Sequence, residues 1–143
     1  MEDINRRATL TLGLAAAAAT PLFAFAAPAG AAAPTYGPND GKELSPGIRL
    51  VEIGEMPSEI AAYKKVMIVD VVFQPGAGDP KEGLMDMDMV CHITSGEFTI
   101  RKRGKEFNVK EGDIYTCGKG KTDMATNISK VVGVHRIALL VPA

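Results

Sequence analysis

An all-β domain, built as a sandwich or a closed barrel, is the fold class this sequence predicts. Three observations carry the prediction. Short apolar segments rich in β-branched residues recur along the chain, Val66-Met-Ile-Val-Asp-Val-Val-Phe73 being the strongest. Gly, Pro, Asn and Asp punctuate them at short intervals. No apolar repeat at helical spacing persists beyond the first thirty-odd residues.

Taken in order, residues 1–33 read as an address rather than as fold. Arg6 and Arg7 precede an apolar, alanine-rich run from Leu10 to Ala27, and Ala24-Phe-Ala26 and Ala29-Gly-Ala31 both match a small-residue cleavage pattern. Pro21 and Pro28 interrupt the run, so it suits a cleaved signal better than an anchor, and no stable membrane span is expected after processing. The Arg pair followed by Leu10 resembles a twin-arginine signal, with Asn5 and Thr9 departing from that pattern. The expected location is therefore periplasmic or secreted. Residues 34–47 hold three prolines and three glycines and read as an extended arm or linker. The domain proper is expected over residues 48–143.

Within it, Ile48–Ile53 is a short strand expected to stop at Gly54, and Met56–Lys65 is ambiguous between a helical turn and a loop. Val66–Phe73 is a strand halted by Gln74-Pro-Gly76. Glu97–Lys102 and Glu106–Val109 make a hairpin around Arg103-Gly-Lys105. Ile114–Cys117 is a strand ending at Gly118, and Val131–Val141 closes the chain as a long strand. Between these lies the most informative stretch, Gly83-Leu-Met-Asp-Met-Asp-Met-Val-Cys-His-Ile-Thr-Ser-Gly96. Met85, Met87, Met89 and Cys91 share one parity, and Asp86, Asp88 and His92 the other. Period two is the mark of a strand with one buried face, so the sulfur atoms are expected inside.

Composition excludes several classes. The net charge of −1 gives no electrostatic case for nucleic acid. The absence of Trp argues against a stacking platform for sugars or bases, and two cysteines are too few for a disulfide scaffold. Arg101, Lys102, Arg103 and Lys105 cluster at the hairpin tip, where a solvated turn accounts for them.

Three segments together resemble a small single-domain cupin of the RmlC-like kind. Phe73-Gln-Pro-Gly-Ala77 is similar to the strand and Pro-Gly that precede the first cupin motif, and Gly96-Glu97 to that motif's end. Gly112-Asp-Ile-Tyr-Thr-Cys-Gly-Lys-Gly120 with Asn127 is similar to the second motif. The resemblance implies a double-stranded β-helix, a jelly-roll barrel around one pocket. It also implies a metal on two His and a Glu of the first motif and a His of the second. Here those positions hold Gly83 and Met85 (or Glu82 and Leu84), then Met89, then Asp123, while Gly118 replaces a proline. No His ligand is retained, so iron, manganese or nickel chemistry is not carried over.

Pocket candidates are accordingly Met85, Met87, Met89, Cys91 and Asp123. Thioethers and thiolate would suit copper(I), with Met89, Cys91 and Cys117 as the soft ligands. Alternate residues of one strand stand about 7 Å apart, so consecutive methionines need help from a facing strand to hold one ion, and flexible core filling explains them without any metal. In the cupin arrangement, setting Gly96 opposite Gly112 sets Cys91 opposite Cys117. That leaves a disulfide, a metal-binding or redox thiol pair, or two small core residues. His92 is expected on the outer face. Asp123 and His135 are the acid–base candidates, Asp123 with a raised pKa if it points inward and with an ordinary one if residues 118–126 loop outward. The expected function is an exported binding module for a small molecule or a soft metal ion. The alternative is an isomerase, lyase or oxygenase acting through Asp123, His135 and Cys91. Pairing into a homodimer is a third expectation, from the family alone.

Overall fold

The computed structural model describes residues 34–143; the expected export signal, 1–33, lies outside the described residues. Backbone pairing resolves the described chain into ten strands: β1 (Lys42–Ser45), β2 (Ile48–Pro57), β3 (Tyr63–Phe73), β4 (Gly83–Leu84), β5 (Asp88–Ser95), β6 (Glu97–Lys102), β7 (Lys105–Lys110), β8 (Ile114–Cys117), β9 (Thr122–Asn127) and β10 (Gly133–Pro142). They form a six-stranded sheet ordered β1-β2-β3-β10-β5-β8 and a four-stranded sheet ordered β4-β9-β6-β7. Every named strand pairing is antiparallel.

The inner faces pack on each other. Val69, Val71, Phe73, Cys91, Ile93 and Ile137 come from the larger sheet, and Phe98, Ile100, Val109 and Ala125 from the smaller. Phe73 meets Phe98 edge-on, centroids 5.2 Å apart, tying the sheets together. The chain passes from one sheet to the other at Gly96, whose φ of 84° favours glycine. A Cβ there would come within 2.9 Å of the Gly133 Cα. Asn127 is fully buried and acts as a polar tie. Its amide donates to the carbonyls of Phe73, Gln74 and Val131, and its carbonyl oxygen accepts from the Ser129 amide and hydroxyl.

Several expectations need correction. The arm is not all linker, since Lys42–Ser45 adds β1 to the sheet edge by pairing with β2. The Tyr36 hydroxyl of the same arm donates to Asp70 at 2.5 Å. Gly54 does not end its strand. A register shift between Glu52 and Gly54 absorbs Ile53 as a bulge, and β2 runs on to Pro57. Residues 118–126 do not loop outward, because β9 forms there and alternates with Asp123, Ala125 and Asn127 inward.

The sulfur stripe is also interrupted. Only Gly83–Leu84 and Asp88–Ser95 are strand, with a bend at Asp86 and Met87 between them. Met85 packs on the core and Met89 is buried, but Met87 reaches neither core nor pocket. The bend follows from two anchors. Met85 exchanges backbone hydrogen bonds with Gly120 and Lys121, and Asp88 accepts from the Lys119 amide and the Tyr63 hydroxyl. The pairing of β5 with β8 is displaced by two residues from the expected one. Cys91 lies opposite Tyr115, and Cys117 opposite Met89. The cysteines are diagonal neighbours, both buried and both free thiols. His92 is on the outer face, as expected.

Candidate functional site

Between the two inner faces lies a cavity of about 160 Å³ lined by Leu44, Val71, Phe73, Asp79, Met85, Met89, Asp123, Ala125, His135 and Ile137. Most of that lining is apolar. The polar groups arrive from three places: His135 from β10, Asp123 from β9 and Asp79 from the loop after β3. Strand alternation aims the first two, since His135 shares parity with Ile137, and Asp123 with Ala125. Asp79 is held by reciprocal bonds with Ala125, its amide donating to the Ala125 carbonyl and its carboxylate accepting from the Ala125 amide at 2.8 Å.

Two buried atoms here lack a hydrogen-bond partner, Asp123 Oδ1 and His135 Nε2. The other Asp123 oxygen accepts from the Tyr115 hydroxyl at 3.2 Å. Tyr115 also stacks near His135, ring centroids 5.4 Å apart, so it links the two polar candidates. Phe98 covers the imidazole at 5.9 Å.

Burial dominates the electrostatics. It raises the Asp123 pKa; the Tyr115 hydrogen bond opposes this, and the Asp79 charge adds to it. The Asp79 carboxyl is raised for the same reason. Burial lowers His135 to about 4, so its imidazole is neutral at neutral pH. The Cys91 thiol is pushed up to about 12 by burial first and then by Asp123, and Cys117 is raised by the same two causes. Neither thiol forms a thiolate readily.

Among the described residues, no three His, Cys, Asp or Glu side chains converge where one ion could sit. The side chains present therefore do not fit the His/Glu metal centre that this kind of fold implies, and no step is derived through a metal. The site brings together Met85, Met89, Asp123 and His135. It leaves out Met87, and places Cys91 and Cys117 in the core beside it. The sequence reading overlooked Tyr115 and Asp79. Tyr115 shares parity with Cys117, which was the available signal. Asp79 sits in an irregular loop and had none.

No protein-family model matches the sequence, and no curated protein matches it. Solved structures do. KdgF from Halomonas sp. is similar with a TM-score of 0.59 and 19% identity, over 71% of this chain and 86% of that one. An RmlC-like cupin from Shewanella frigidimarina gives 0.57 and 17%, over 76% and 89%. A protein with a double-stranded β-helix domain from Klebsiella pneumoniae gives 0.56 and 15%, over 70% and 82%. At these identities the likeness is one of fold, and with the two facing sheets it shows that the chain folds as a cupin-type double-stranded β-helix.

Proposed function

We propose that this protein is an exported binding module whose barrel holds one small organic molecule by hydrogen bonds rather than through a metal. The observation that carries the reading is the pair of unpartnered buried atoms, Asp123 Oδ1 and His135 Nε2, on one cavity. Leaving such an atom unpaired costs about 1–3 kcal/mol, which a ligand's polar head recovers. The neutral imidazole can donate or accept according to tautomer, and the carboxyl accepts or, when protonated, donates. Val71, Met85, Met89 and Ile137 would take the ligand's apolar body. The volume is that of roughly five waters at about 30 Å³ each, so the ligand is a compact one.

A copper(I) site is less well supported. Both thiols are held protonated, and Cys91 is turned into the core rather than toward the cavity lining. One observation favours an enzymatic reading in second place. Burial drives the Asp123 and His135 pKa values toward each other, which suits proton transfer between a carboxyl and a neutral imidazole. The test is a thermal-shift and calorimetric screen of small hydroxy acids, amides and diols in the presence of EDTA. A compound should stabilise the parent and fail to stabilise Asp123→Asn and His135→Leu. Stabilisation retained in both variants, or none from any compound, overturns the reading. Consumption of the hit would favour the enzymatic one.

A further inference from the structure

A second concavity lies outside the barrel. It measures about 380 Å³ and is lined by Lys102, Arg103, Lys105 and Phe107 of the β6–β7 hairpin. It occupies the side where the sheets are not joined, since β7 is the edge of one sheet and β8 the edge of the other. Tyr115 of β8 closes this seam. Phe107 meets the Tyr115 ring edge-on at 5.8 Å, and the Lys102 ammonium sits 5.6 Å from the same ring while donating to the Thr116 carbonyl. Tyr115 thus touches Phe107 and Lys102 of the outer groove on one side and Asp123 and His135 of the inner cavity on the other.

The groove's charge is uncompensated. Arg101 is neutralised by Glu106, but among the described residues Lys102, Arg103 and Lys105 enter no ion pair. No acidic side chain lines the groove, and Phe107 is 38% exposed. The backbone adds an independent observation. The two-residue turn places Arg103 at a φ of 50° and Gly104 at 73°. Turns with both residues in the left-handed region strongly prefer Asn-Gly, and a long side chain in the first position is strained. The hairpin holds a cation at the groove's rim against its backbone preference.

We propose that the seam groove binds a small organic anion, a carboxylate, sulfonate or phosphate ester on a flat apolar body. Its charged end lies between Arg103 and Lys105, and its flat face packs on Phe107. The volume is that of small-molecule sites, and the cationic rim with an aromatic floor recognises both halves of such a molecule. The site is separate from the inner cavity and does not depend on what that cavity binds.

Anilinonaphthalene sulfonate is a suitable probe, because its fluorescence rises on binding. Titration of the full chain should give saturable binding that weakens at high salt. Replacing Arg103→Glu together with Lys105→Glu should lower the affinity about tenfold or more, and Phe107→Ala should weaken it further. Arg103→Asn removes one cation while suiting the turn, so it should bind more weakly with an undiminished melting temperature, which covers the case of a misfolded charge reversal. Unchanged affinity in Arg103→Asn and in the charge reversal overturns the proposal. So does loss of binding in Asp123→Asn alone, which would place the dye in the inner cavity.

Discussion

Replacing His135 with leucine tests the interior most sharply when stability is followed against pH. The imidazole is 3% exposed, its Nε2 has no partner, and its pKa falls from 6.5 to about 4. The folded state therefore resists protonating a group that the unfolded chain protonates readily. Stability from this group is full above about pH 6.5 and is lost as pH falls toward about 4. The full shift corresponds to about 3 kcal/mol, at about 1.4 kcal/mol per unit. By linkage about 1.4 kcal/mol is lost at about pH 5.5 and about 2.6 at about pH 4.5. Asp79 and Asp123 act in the opposite sense. Their raised pKa values contribute stability in acid that is lost as pH rises through the folded values, but they are present in both proteins and largely cancel in the difference. At about pH 7.5 the substitution is close to neutral. Removing an orphaned polar atom gains about 1–3 kcal/mol, and the two lost ring contacts, with Phe98 and Tyr115, take back about 0.5–1.5 kcal/mol each. Urea unfolding of both proteins at several pH values gives the assay. The variant should gain on the parent by about 2–3 kcal/mol between about pH 7.5 and 4.5. A difference flat to within about 0.5 kcal/mol would mean that His135 titrates as freely folded as unfolded, contrary to its burial.

Other outcomes follow from particular contacts. Arg103→Asn should stabilise the hairpin by about 0.5–1 kcal/mol in urea unfolding, since Asn-Gly suits the turn that Arg103 strains. Gly133→Ala should cost about 2–3 kcal/mol, because its Cβ would come within 2.5 Å of the Phe98 ring and 2.9 Å of the Asn127 amide. Arg136→Met leaves the fully buried Asp70 carboxylate with the Tyr36 hydroxyl alone. The expected loss is about 2–4 kcal/mol, reduced by the partial exposure of Arg136, and Asp70→Asn in the same chain should restore part of it. A thiol reagent should find both cysteines only after denaturation, whereas a disulfide would leave nothing to react.

What was legible in the sequence follows its hydrophobic alternation. β3 and β10 announce themselves through β-branched apolar runs and β6 through alternation, and β8 spans the residues read for it, Ile114–Cys117. β9 does not, because its inward positions are Asp123, Ala125 and Asn127, which no hydrophobic pattern marks. β1 carries a single large apolar residue, Leu44, and exists by pairing with β2. The inward aim of His135 was readable from its parity with Ile137, whereas that of Asp123 stayed open between the pocket and an outward loop until β9 placed it. The facing of Cys91 and Cys117 was not, because register depends on a turn. The Gly112 amide donates to the Ile93 carbonyl rather than lying opposite Gly96, and that displacement separates the cysteines. The methionine stripe failed for a similar reason. Its alternation is real only where the strand is continuous, and the bend at Asp86 and Met87 ends it.

Asp123 Oδ1 and His135 Nε2 are the two unpartnered atoms of the inner cavity. Long-range proton–nitrogen NMR of the His135 imidazole, recorded in EDTA while the best stabilising compound is added, addresses them directly. The expected result is a saturable shift at His135 Nε2 that Asp123→Asn weakens. An imidazole that does not respond, or binding that vanishes when metal is chelated, would contradict it.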